Sequence, residues 1–97
     1  MDEAAVREQA EAHGKATVAG DLATAGKDLT KEAMAGAGAV MKEMPRPLTS
    51  SAIDSVEADG SGFVVQIRYA GDDSSIVVRS RWEEQDGRPK IVDLSIA

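Results

Sequence analysis

The run Phe63-Val64-Val65-Gln66-Ile67-Arg68-Tyr69-Ala70, the turn Gly71-Asp72-Asp73-Ser74 and the run Ile76-Val77-Val78-Arg79-Ser80-Arg81-Trp82-Glu83 decide the fold. Phe63, Val65, Ile67 and Tyr69 alternate with Val64, Gln66, Arg68 and Ala70. Ile76, Val78, Ser80 and Trp82 alternate with Val77, Arg79, Arg81 and Glu83. Successive strand side chains point to opposite faces, so each run reads as a strand buried on one side. Matching the two buried faces across the four-residue turn pairs Tyr69 with Ile76, Ile67 with Val78, Val65 with Ser80 and Phe63 with Trp82.

Downstream, Gln85-Asp86-Gly87 turns the chain into a last strand. A two-residue Asp86-Gly87 turn would set Trp82 against Ile91, but also Ser80 against Asp93 and Val78 against Ser95. That buries a carboxylate among apolar partners. A three-residue loop with Gly87 left-handed in a bulge pairs Ser80 with Val92, Val78 with Leu94 and Ile76 with Ile96, and sets Arg79 opposite Asp93. The polar pattern favours this bulged hairpin. Upstream, Ser51 to Ala58 is a weaker strand in which Ile53 and Val56 are out of phase, as at an edge or around a bulge. Asp59-Gly60-Ser61-Gly62 joins it to the next strand. The sheet part, 51–97, is thus a four-stranded antiparallel meander.

The helical part is 2–44. A first helix is expected from Asp2 to Ala19. Glu3, Arg7, Glu11 and Lys15 form its charged stripe by i+4 spacing. Val6, Ala10, His13 and Thr17 form the face toward the core. Gly20 stops this helix and Asp21 caps a short one, Leu22 to Lys27. Thr30 caps a third, on which Ala33, Met34, Ala37, Val40, Met41 and Met44 share one apolar arc. Gly36 and Gly38 lower its helix propensity and leave room for a close backbone approach. Met44-Pro45-Arg46-Pro47 closes the helical part. Helices first and strands later give a single α+β domain, 1–97, with helices packed on a curved antiparallel sheet.

Composition narrows the function classes. The 97 residues are 42% hydrophobic and 29% charged, the balance of a globular domain. A net charge of −6 argues against nucleic-acid binding, which needs clustered cations. With no cysteine and one histidine, disulfides, thiolate metal sites and a histidine cluster are excluded, and neither metal nor cofactor is expected. No apolar run is long enough to span a bilayer. The acidic Met1-Asp2-Glu3 start is unlike a signal peptide, so a cytoplasmic protein is expected.

The order of parts resembles the nuclear transport factor 2-like domains. The resemblance rests on the first helix ending in Gly20-Asp21-Leu22, the further helices, and the hairpin Arg81-Trp82-Glu83-Glu84-Gln85-Asp86-Gly87-Arg88-Pro89-Lys90-Ile91-Val92. It implies a cone whose interior can hold a small ligand, and a homodimer formed through the sheet. Some members are isomerases, dehydratases, hydrolases or polyketide cyclases. The chain departs from the family in its shortness and in Pro89, where many members carry a second aromatic residue.

Candidate site residues follow. His13 lies on the core face of the first helix, where it would be a general acid or base, or a histidine satisfied by a carbonyl or at a dimer interface. No carboxylate partner is identifiable by spacing. Tyr69 and Trp82 on the inner sheet face, with Met34 and Met41, are the candidate ligand contacts, Met44 extending the methionine wall. Each could equally be simple core. Arg68, Arg79 and Arg81 on the outer sheet face form a candidate interface, partly neutralised by Asp93 and Glu83. Asp54 and Glu57, three positions apart, would face opposite sides of a regular strand and so make no acid–base pair. The first expectation is a non-enzymatic domain that binds a small apolar molecule or a protein as a homodimer. The second is a small isomerase, dehydratase or cyclase with His13 as acid–base, and the third a purely structural interaction module.

Overall fold

Asp2 opens the first helix, its carboxylate accepting the Ala5 amide at 2.8 Å. In the computed structural model, which describes residues 1–97, α1 spans Glu3–Val18, α2 Leu22–Gly26 and α3 Lys31–Glu43. Gly20, at φ +76°, ends α1 in a conformation that suits glycine. Asp21 then caps α2. Hydrogen bonds from Thr24 hold its carboxyl below the usual aspartate range. Thr30 caps α3 by accepting the Ala33 amide, and donates its own hydroxyl proton to the Ile91 carbonyl. One side chain thus starts a helix and ties it to the sheet. No helix is long and apolar enough to cross a membrane.

The strands are β1 (Leu48–Asp59), β2 (Gly62–Gly71), β3 (Ser75–Gln85) and β4 (Arg88–Ile96). They form one antiparallel sheet in the order β1-β2-β3-β4. The architecture is α+β. Between β2 and β3 the register is the one the alternation dictates, from Phe63 opposite Trp82 to Tyr69 opposite Ile76. β1 begins three residues earlier than expected. It is an edge strand with irregularities between Leu48 and Ser50 and between Ile53 and Ser55. The second resolves the phase conflict, because it sets Ile53 against Ile67 and Val56 against Val65 on the same inner face. It also overturns the expectation for Asp54 and Glu57. Asp54 pairs with outer-face Arg68, and Glu57 lies opposite outer-face Val64.

The last hairpin corrects the three-residue loop. Asp86 (φ +54°) and Gly87 (φ +81°) form a two-residue turn, with Gln85 opposite Arg88 and Trp82 opposite Ile91. Two successive positive φ angles give a turn whose twist matches that of the strands. The bulge lies within β4, where Asp93 and Ile91 oppose adjacent residues Arg81 and Trp82 and Val92 is left over. Ser80 then faces Leu94 rather than Val92 or Asp93, Val78 faces Ile96, and Arg81 rather than Arg79 faces Asp93. The bulge keeps Ile91, Leu94 and Ile96 on one face although Ile91 and Leu94 are three apart.

All three helices lie on the inner face. α1 packs over β1 and β2, α3 over β4, and α2 against α1. Gly36 brings α3 down onto β4, where a Cβ would overlap the Leu94 carbonyl. At Gly38 a Cβ would meet open space. The core gathers Val6, Ala10, Ala33 and Val40 onto Val65, Ile67, Tyr69, Val78, Trp82 and Ile91. Because α1 and α3 rest on opposite halves of the sheet, they leave a gap over its middle.

Candidate functional site

That gap is a cavity of about 210 Å³. Tyr69, Val78 and Leu94 contribute from the sheet, Ala37, Val40 and Met41 from α3, Met44 from the residue just after it, and Ala25 and Leu29 from α2 and the segment after it. His13 and Thr17 of α1 are the polar members of the lining, with the tyrosine hydroxyl. No charged side chain lines it directly. Leu22 and Met34, each more than half exposed, lie on the rim. Exposed apolar side chains at a cavity mouth favour traffic of apolar molecules over water-soluble ones.

His13 is held rigidly. It lies on the buried stripe of α1 and is 7% exposed. Its Nδ1 is 2.9 Å from Asp28 Oδ2, and its ring meets Trp82 edge-on with centroids 6.1 Å apart at 86°. Asp28, 3% exposed, also accepts from Gln9 Nε2 at 2.9 Å and from the Arg88 guanidinium through Oδ1. Arg88, His13 and Gln9 take the place of water around this buried carboxylate. Nε2 of His13 has no hydrogen-bond partner within the chain, and the ring lines the cavity.

The main chain places Asp28. Ile91 donates to the Asp28 carbonyl at 2.7 Å, and the Thr30 amide donates to the Ile91 carbonyl at 2.9 Å. Residues 28–30 thereby make a short parallel bridge to β4 through Leu29. The same pairing brings Asp28 beside Arg88, three residues before Ile91. No local pattern marks this partner, because the bridge joins segments about 60 residues apart. Within the chain, the partner of His13 is a carboxylate rather than the expected carbonyl.

Of the other candidates, Tyr69 and Met41 line the cavity, as does Met44. Burial pushes the Tyr69 phenol up from its ordinary range, and the side chain of nearby Thr17 opposes the shift. Met34 also lines the cavity, at its exposed rim. Trp82 does not line the cavity. It is wholly buried, and its Nε1 donates to Ser80 Oγ at 2.9 Å while Ser80 donates to the Val65 carbonyl. A buried indole needs such an acceptor, which explains a serine on an apolar strand face.

The arginines divide. Arg68 pairs with Asp54 at 2.8 Å, and Arg81 with Asp59 at 2.6 Å and Glu83 at 3.1 Å. Exposed Arg79 makes no salt bridge. No group of three or more histidine, cysteine, aspartate or glutamate side chains is placed to hold a metal ion. Compared with protein-family models, curated proteins and solved structures, the chain has no match. What its own geometry defines is an α+β domain with a small apolar cavity ending on a buried histidine–carboxylate pair, backed by the half-exposed Arg88.

Proposed function

We propose that the chain binds a small, largely apolar molecule in this cavity, after the manner of a compact nuclear transport factor 2-like domain. The observation that carries the reading is the lining itself: apolar walls surround one imidazole whose Nδ1 is fixed by Asp28 and whose Nε2 has no partner within the chain. Apolar surface supplies affinity and a few placed polar groups supply orientation. A homodimer through the uncovered outer sheet face belongs to the same reading, with Arg79 as a free cation beside Gln66 and Ser95. Native mass spectrometry of the purified protein tests both parts. The expected result is a dimer carrying extra mass, with that mass lost in Ala37→Leu, which fills the cavity. A retained mass that Ala37→Leu leaves unchanged would place the ligand elsewhere.

Asp28 at 2.9 Å from Nδ1 favours a second reading, acid–base catalysis. A carboxylate that orients an imidazole and stabilises its protonated form readies the other nitrogen to take and return a proton. An isomerase, dehydratase or cyclase would use that. Turnover of a candidate substrate that survives His13→Ala would exclude it.

A further inference from the structure

We propose that the molecule this cavity takes is a neutral, single-ring compound whose hydroxyl donates to His13 Nε2. The inference rests on the binding reading above and adds the ligand's chemistry. Size comes first. An apolar cavity of about 150 Å³ accepts benzene, so a cavity of about 210 Å³ takes one ring with a few further atoms.

Charge comes next. No lysine, arginine, aspartate or glutamate lines the cavity, so a bound ion would give up water without a direct counter-charge. Asp28, the carboxylate that holds His13, is itself paired with Arg88. A neutral molecule is the ligand such a cavity accepts.

The hydrogen-bond direction follows from Asp28. A carboxylate only accepts, so the proton of a neutral imidazole sits on Nδ1, pointing at Oδ2. Nε2 is then an acceptor without a donor. A hydroxyl supplies one, whereas a ketone or ether would set lone pair against lone pair. Thr17 does not compete, because its hydroxyl donates to the His13 carbonyl at 2.9 Å.

Calorimetric titration of the full chain with phenol, toluene and benzoate separates the possibilities. Toluene has phenol's shape without the donor, and benzoate adds a charge. The expected order is phenol at least as tight as toluene, despite the cost of taking its hydroxyl out of water, and benzoate weakest. Asp28→Asn can present an amide donor to Nδ1 and move the ring proton to Nε2. It should weaken phenol about tenfold and leave toluene unchanged. Tighter toluene or benzoate, or an equal loss of phenol and toluene in the variant, overturns the hydroxyl inference while leaving the cavity a binding site. Failure of all three probes to bind overturns the binding reading itself.

A measurement on the unaltered protein needs no variant to fold. With a single histidine in the chain, its ring nitrogens give unambiguous ¹⁵N NMR signals. The proposal requires the proton on Nδ1 and an Nε2 signal that moves when phenol is added. A ring protonated at Nε2, whether neutral or cationic, would refute it.

Discussion

At one end of the inner sheet face Trp82 is completely buried, with Val6, Ala10, Val65 and Ile91 in the same cluster and Ser80 satisfying its N–H. At the other end Tyr69, Val78 and Leu94 look into an open cavity. The two ends belong to the same strands, paired in one continuous register between β2 and β3. They differ in what lies above them. His13 stands at the boundary, one edge against Trp82 and the ring exposed to the cavity. The filled end supplies stability and holds the imidazole still, and the hollow end gives up packing for space. A close-packed interior normally leaves few voids larger than a water molecule, so a void of this size is an unspent opportunity for stability.

Trp82→Ala is the harshest test of that division. It should cost about 3–5 kcal/mol, read from urea denaturation at constant slope. A loss under about 1 kcal/mol would mean that the filled end is not where stability resides.

Two glycines sharpen the comparison at the roof of the hollow end. Gly36→Ala drives a methyl group into the Leu94 carbonyl and should cost about 1–3 kcal/mol, with a change in probe binding as α3 lifts from β4. Gly38→Ala meets nothing and should stabilise by about 0.5–1 kcal/mol through helix propensity. Equal effects in thermal melts would show that α3 does not rest on β4 through Gly36.

Tyr69 gives no effect at neutral pH and acts only in alkaline solution. Its folded-state pKa is raised by burial, so the folded protein holds the phenol proton more tightly than the unfolded chain does. Its contribution is complete below the ordinary tyrosine range and is lost as pH rises above about 10. The fall is at most about 1.4 kcal/mol per pH unit. Tyr69→Phe should flatten that fall. An unchanged alkaline slope would mean the phenol is already solvated through the cavity.

How far the sequence reached depends on the range of the interactions. The helix starts at Asp2, Asp21 and Thr30 are legible because a cap bonds an amide three residues away. The β2–β3 register is legible because a four-residue turn joins two alternating runs. In the last hairpin the inward direction of Leu94 and Ile96 was readable, but neither the location of the bulge nor the burial of Ile91, whose place the expected register gave to Val92. The Ile91–Leu94 spacing of three was the available signal, and the Ile53–Val56 spacing in β1 was the same signal recognised. Half of the site was visible as His13 on a buried stripe. Asp28, Gln9 and Arg88 were not, since no local period links them.

The sequence by itself determined the elements, their caps, the inward faces of α1, α3, β2 and β3 and the α+β order, since these are set by neighbours along the chain. Tertiary structure alone decided that residues 28–30 would pair with Ile91, which delivers Asp28 to His13 and Arg88 to Asp28. It alone decided that α1 and α3 would rest on opposite halves of the sheet and leave a cavity between them. Those outcomes depend on how separated segments divide one apolar surface, and periodicity says which residues are buried, not which of them meet.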